Sequence, residues 1–239
     1  MGNARWATSI ALVTAMAVVA VAGCGSGGDD ASADDTAEPT VDESTTAVAA
    51  GDDVQPCAED RHGVVIDMDG TLTASIDELA LWVANPAYDP AVRAGAVDLM
   101  QAWRTLGYEI VYLTGRPADM RIGRTPIADA TAAWLERHRF PTGEGTQLFV
   151  WDASAVERLE QFKAQTLIDL QREGLSLDYG YTDATLDVVA YRTAGIDADH
   201  IFTIGEASGF QEGTVAVPDP SWLPHQVAVV DELPPVCAV

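Results

Sequence analysis

Positive charge is what this chain most conspicuously has little of. Its 239 residues carry 13 Lys and Arg against 37 Asp and Glu, for a formal net charge of −24, and Lys163 is its only lysine. The deficit is not confined to one end, since residues 61–239 hold 26 acidic and 12 basic side chains. Without a basic patch to neutralise phosphates, the chain is a poor candidate for binding nucleic acid. The same balance disfavours tight docking of the folded part on an anionic lipid surface. Long apolar runs are scarce too. The longest, Ser9–Gly23, has fifteen residues, short of the ~20 that cross a bilayer. Cysteine occurs three times, as Cys24, Cys57 and Cys237.

The apolar run follows Arg5 and ends in Val21-Ala22-Gly23-Cys24. A basic flank, a short apolar core and small residues at its end predict a secretory signal peptide over 1–24. The closing tetrapeptide resembles a bacterial lipobox, which implies Cys24 as a lipidated first residue and a membrane attachment through an N-terminal lipid anchor. The expectation is an exported cell-envelope lipoprotein. Residues 25–60 contain eleven acidic side chains and no basic one. They cannot bury enough apolar surface to offset the entropy of ordering, so they read as a disordered tether of roughly 30 Å mean span. With Cys24 acylated, Cys57 and Cys237 remain at the two ends of the folded part. Domain termini often lie close together and an exported chain sits in an oxidising compartment. A Cys57–Cys237 disulfide is therefore expected, with two buried thiols as the alternative.

From residue 61 to 239 short apolar strands alternate with helical stretches, which predicts one α/β domain with a parallel central sheet covered by helices on both faces. The first strand is Gly63–Asp69. A short helical piece carries Leu79, Trp82 and Val83, and a helix opening at Pro90 runs through Leu106 to Gly107. Strand two, Tyr108–Leu113, ends in Thr114-Gly115-Arg116-Pro117. A helix over 126–138, strand three at Gln147–Trp151, and a helix over 154–172 follow. Strand four, Leu177–Thr182, runs into Asp183. A helix stopping at Gly195 precedes strand five, His200–Ile204, and Val215–Val217 and Val227–Val230 are candidate edge strands.

Val64-Val65-Ile66 runs into two carboxylates, Asp67 and Asp69, then Gly70-Thr71. An all-apolar run suits a central strand, and in doubly wound sheets ligands bind beyond the carboxyl ends of such strands. Two carboxylates this close call for a cation or a proton, and an oxygen-only donor set suits Mg2+. By itself the stretch is equally a strand and an acidic turn. Three further groups fall at strand ends or on the helices between them. Thr114 closes strand two, where its hydroxyl and the amide of Gly115 can meet phosphate oxygens. Lys163 offers a compact ammonium. Asp183 closes strand four, with Asp187 one turn later on the same helix face. Each alone has an ordinary structural explanation; the set, in this order, points to phosphoryl chemistry.

This order resembles the haloacid dehalogenase superfamily of phosphatases, with Asp67–Thr71, Thr114, Lys163 and Asp183 with Asp187 similar to its four motifs. More narrowly, DMDGTLT at Asp67–Thr73, YLTGR at Tyr112–Arg116, Phe162-Lys163 and DVVAY at Asp187–Tyr191 look like the lipin/LNS2 catalytic domain. The resemblance implies a three-layer Rossmann-like fold, and the spacings from Thr71 to Thr114 and on to Lys163 leave no room for a large cap domain. It also implies a Mg2+-dependent phosphomonoester hydrolase. Asp67 would be the nucleophile and Asp69 the general acid and base. Thr114, Gly115 and Lys163 would bind phosphate, and the metal would be held by Asp67, Asp69 and either Asp183 or Asp187. Arg116, Arg121 and Arg124 could meet a substrate head group, the last two being better read as solvated. The implied substrate is a phosphomonoester, with phosphatidate-like lipids first to be tested. The alternatives are a general acid phosphatase acting on soluble esters and a non-catalytic module that binds phosphatidic acid.

Overall fold

In the computed structural model, the described residues are 60–205, 208–218 and 220–236. The leader, the acidic tether, Cys24, Cys57 and Cys237 lie outside them, so the expectations placed there rest on sequence alone.

The centre is a six-stranded sheet. Its strands are β1 (Arg61–Ile66), β2 (Glu109–Pro117), β5 (Thr146–Trp151), β6 (Leu175–Thr182), β7 (Ile201–Thr203) and β8 (Val215–Ala216). They lie in the order β5-β2-β1-β6-β7-β8, every neighbouring pair parallel. Side chains alternate across a strand, and the inner strands show the consequence. Val64, Ile66, Ile110 and Tyr112 belong to one core, whereas Val65, Val111 and Leu113 belong to the other. Both faces are buried, which is why these strands read as unbroken apolar runs.

Four helices cover the first face: α1 (Glu78–Ala84), α2 (Ala96–Thr105), α3 (Ile127–Arg137) and α6 (Leu223–Ala228). Its core is rich in aromatics, including Trp82, Trp103, Trp134 and Trp222. The second face is covered by α4 (Leu159–Arg172) and α5 (Thr185–Thr193) through Ala164, Leu167, Leu170, Val188 and Tyr191. A two-residue hairpin, β3 (Arg121–Ile122) with β4 (Thr125–Pro126), sits between β2 and α3. Among the described residues nothing larger interrupts the three layers, in keeping with an uncapped fold.

Three expectations are corrected. The helix expected from Pro90 begins only at Ala96. Residues 90–94 run outside the helix instead, with Val92 bridged to Thr73 and Ala94 to Ser221. Gly95 then turns the chain at φ +77°, where an added Cβ would stand 2.6 Å from the Leu223 amide nitrogen. The helix expected from Ser154 begins at Leu159, because Asp152 accepts from the Ser154 and Ala155 amides and holds a turn there. Val227–Val230 is not an edge strand but the end of α6 and the start of a 3-10 turn at Val230–Glu232. Tertiary packing decides that last case: His225, on α6, is buried against Tyr181 and Phe202, which a helix allows and an edge strand does not.

Candidate active site

The groups singled out at strand ends converge on the carboxyl edge of β1, β2 and β6. Asp67 follows β1 directly, and its amide still donates to the Tyr181 carbonyl of β6 at 3.0 Å. Its carboxylate is buried, and Oδ1 accepts from Lys163 Nζ at 2.6 Å. Lys163 lies on the inner face of α4, one and two turns before Leu167 and Leu170. Its position on that apolar stripe carries the ammonium into the interior. The same ammonium pairs with Asp187 Oδ1 at 2.7 Å. Asp187 sits in the first turn of α5, where the helix dipole favours negative charge, and Thr182 Oγ1 donates to its other oxygen at 2.8 Å. Both Asp187 oxygens are thus engaged inside the protein.

Asp183 takes the position nearer the mouth. Its amide donates to Thr71 Oγ1 at 2.9 Å, and the Thr71 hydroxyl approaches both Asp183 Oδ1, at 3.3 Å, and Asp67 Oδ2, at 3.4 Å. Gly70 makes this approach possible. It adopts φ +79°, and a Cβ built there would fall 1.9 Å from Asp183 Oδ2. Arg93, buried within the stretch before α2, donates twice to the Gly70 carbonyl, at 2.6 and 3.1 Å, and once to that of Ala74. Trp222 Nε1 donates to the Thr71 carbonyl at 2.9 Å. The turn after β1 is therefore held from two sides.

Asp69 faces Arg116, not open solvent. Arg116 Nε and Nη2 reach its two oxygens at 2.9 and 2.8 Å, a two-pronged pair. Arg116 Nη1 donates to Thr131 Oγ1 at 2.9 Å, and the guanidinium lies 5.7 Å from the Trp82 ring centroid. The Arg116 side chain is fully buried, so the expectation that it meets a substrate head group gives way to an internal role. Thr114 is buried as well; its hydroxyl accepts from the Arg116 amide at 3.2 Å and lies 3.5 Å from Asp69 Oδ2. Gly115 is half-buried, and a Cβ there would meet Leu159 at 2.8 Å. Arg121 and Arg124 are exposed, with Arg121 donating to the Arg124 carbonyl, as the solvated reading expects. Cys24, Cys57 and Cys237 fall outside the described residues.

Burial sets the electrostatics. It pushes the Asp67 carboxyl up to about 8, with Asp187 adding to the rise and Lys163 opposing it. Burial would depress the Lys163 ammonium, but Asp187 and Asp67 outweigh it and the net shift is upward. Asp183 rises to about 6, through burial first and Asp187 second. Four carboxylates (Asp67, Asp69, Asp183 and Asp187) thus meet the two ion-pairing cations Lys163 and Arg116. Among the described residues no three His, Cys, Asp or Glu side chains converge at metal-ligand spacing. What the site offers is two raised carboxylates, Asp67 and Asp183, linked by one hydroxyl beside main-chain oxygens. That sparse oxygen set fits magnesium, which keeps several waters and takes one or two carboxylates.

Sequence reasoning missed Arg93, Thr131, Thr182, Trp82 and Trp222. A trace of Thr71 was present, since it closes the DMDGT run. The others are separated from the motifs by whole elements, and only the fold brings them in.

The fold is that of the haloacid dehalogenase phosphatases. Among solved structures, D,D-heptose 1.7-bisphosphate phosphatase from B. bronchiseptica, complexed with magnesium and phosphate, shares it. The TM-score is 0.52 over 72% of this chain and 99% of that one, at 14% identity. Within that fold the chain belongs to the LNS2 domain family: the family model described as PITM 1-3, LNS2 domain, matches residues 64–205. It is 37% identical over 145 residues to membrane-associated phosphatidylinositol transfer protein 3 of Homo sapiens, covering 59% of this chain. It is 31% identical over 162 residues to protein retinal degeneration B of Drosophila melanogaster, covering 68% of this chain. The match spans 13% and 11% of those two relatives.

Proposed function

We propose that this domain is an exported, membrane-tethered phosphomonoester hydrolase that works through an aspartyl-phosphate on Asp67. One observation carries the reading. Lys163 fixes Asp67 Oδ1 at 2.6 Å and leaves Oδ2 on the side of Thr71 and Asp183. An oriented carboxylate oxygen beside further charged groups is what in-line attack on phosphorus needs.

In the first step Asp67 forms an O–P bond while the ester P–O bond breaks and its electron pair leaves with the alkoxide, which takes a proton. In the second, water attacks phosphorus, the acyl-phosphate P–O bond breaks, and Asp67 and inorganic phosphate are released. Asp69, at the mouth of the site, would move these protons. Lys163 has three N–H donors and spends two on Asp67 and Asp187; the third suits a phosphate oxygen. The Gly115 amide follows Thr114 at the rim and would be a further donor. Asp67, Asp183 and the Asp69 main-chain carbonyl would hold Mg2+, with Asp187 in reserve behind Lys163. When bound, the metal supplies positive charge against the transferring phosphoryl group.

Phosphatidate-like lipids are the first substrates to try, because the relatives bear the names of lipid transfer proteins and the tether keeps the domain near a membrane. Those names also favour a second reading, a module that binds a lipid phosphomonoester without turning it over. A panel of soluble and vesicle-borne phosphomonoesters, assayed with Mg2+ and with EDTA, separates the two. The hydrolase reading expects metal-dependent phosphate release that vanishes in Asp67→Asn. Equal release by wild type and Asp67→Asn would defeat it, and vesicle binding without release would establish the module.

A further inference from the structure

We infer that Arg116 is a positioning residue for this site, and that through Trp82 it couples the orientation of Asp69 to the segment crossing the first motif, residues 74–91. The inference rests on the hydrolase reading for its kinetic consequence, but its structural part stands alone. Asp69 is the more exposed of the two motif aspartates, with a side chain 15% accessible, and a carboxylate at a mouth ordinarily samples several rotamers. The Arg116 fork takes an oxygen with each prong, at 2.8 and 2.9 Å, which fixes the plane of the carboxylate as well as its position.

Arg116 is itself fixed on three further sides. Thr131, on α3, accepts from its remaining terminal nitrogen. The Thr114 hydroxyl accepts from its main-chain amide. The Trp82 ring lies against its guanidinium at cation–π distance. Trp82 belongs to α1, within the segment whose ends are pinned by the Thr73–Val92 bridge. Arg116 therefore joins β2, α3 and α1 at a single group, and Asp69 takes its orientation from that junction. A substrate phosphate does not need to touch Arg116 for Arg116 to govern turnover, and its full burial keeps it from bulk solvent. A displacement of about 1 Å in an acid–base group costs on the order of 100-fold in rate.

The test uses Arg116→Lys, Arg116→Met and Trp82→Leu in the full chain. Crystal structures of the Arg116 variants should show the Asp69 carboxylate rotated or in several conformers, with Asp67 and Lys163 unmoved. In assays with p-nitrophenyl phosphate and Mg2+, Arg116→Met should lower kcat about 100-fold and change KM by less than about 3-fold. Arg116→Lys should recover part of the loss, and Trp82→Leu should lower kcat about 10-fold. An Asp69 that keeps its place in Arg116→Met overturns the inference, and so does a loss appearing in KM with kcat intact, which would make Arg116 a substrate contact. Wild-type protein without Asp67-dependent release would defeat the hydrolase reading instead, and the crystallographic comparison would still decide the role of Arg116. If Arg116→Met does not fold, Arg116→Lys carries both measurements.

Discussion

Lys163 and Asp187 form an ion pair of 2.7 Å in which each side chain is 2% exposed. Removing one partner of a buried pair costs about 3–5 kcal/mol when the other is left uncompensated, and that is an upper bound here because Asp67 still faces Lys163 at 2.6 Å. Asp187→Ala should therefore lower the melting temperature by up to about 20 °C in a domain of this size, measured by circular dichroism without metal. Turnover should fall too, since Lys163 would be left to Asp67 alone. A change of less than about 1 kcal/mol would mean that Asp67 alone compensates Lys163.

Two glycines separate the backbone demand from the steric one. Gly143 adopts φ +90° with nothing within 4 Å of where a Cβ would stand, whereas Gly70 adopts φ +79° with Asp183 Oδ2 at 1.9 Å. Gly143→Ala should cost only the left-handed strain, about 1–2 kcal/mol. Gly70→Ala should cost more and should also displace Asp183, with loss of metal-dependent activity. Urea unfolding and phosphate-release assays on the two variants make the comparison.

Asp183 predicts a pH-dependent response to magnesium. Its carboxyl is raised to about 6 by burial and by Asp187. A raised acid binds protons more tightly folded than unfolded, so its contribution to stability is present at low pH and lost as pH rises through about 6. A cation that pairs with the carboxylate restores it. Adding Mg2+ should raise the melting temperature at pH 7.5 and do so much less at pH 5. At 100 times the Kd the gain would be about 2.7 kcal/mol. Asp183→Asn should be more stable than wild type in EDTA at pH 7.5 and should respond weakly to the metal.

His225 gives a dependence of the opposite sign. Trp103 Nε1 donates to the Tyr181 hydroxyl at 3.1 Å, and that hydroxyl lies 2.9 Å from His225 Nε2. All protons are used when Tyr181 donates to an unprotonated Nε2, and burial depresses the imidazole to about 4. The unfolded chain then binds the extra proton first, so this contribution is whole above about pH 6.5 and lost as pH falls toward 4. Wild type should lose up to about 3 kcal/mol more than His225→Gln across that window. Urea melts at pH 7 and pH 4.5 measure the difference, and equal losses would mean that His225 is protonated in the fold.

Much of this arrangement was legible in the residues. Apolar runs buried on both faces identify β1 and β2, and chemistry collected at strand ends identifies Asp67, Thr114 and Asp183. Lys163 was legible as the only lysine of the chain, falling on a helix between the strand ends. Arg116 was legible as a site residue and misread in direction, since adjacency to a motif does not tell whether a side chain turns outward to ligand or inward to Asp69. Arg93 left no local trace, because its partners are carbonyls brought near by the stretch before α2. The start of α2 was missed for the same reason: bridges to Thr73 and Ser221 outweigh the helix-opening signal of Pro90. At Val227–Val230 the apolar spacing suits either element, and burial of His225 settles it.

The alternation along β1 has one more consequence. Val65 serves one core while Val64 and Ile66 serve the other, so the sorting of greasy residues between two layers also determines which way the residue after Ile66 points. Shift the strand by a single position and Met68 would stand where Asp67 does, while the Asp67 carboxylate would fall in the buried slot of Ile66, away from Lys163. An inserted residue just before Asp67 would carry its carboxylate to the buried place of Met68, losing the nucleophile and its pairing with Lys163 together.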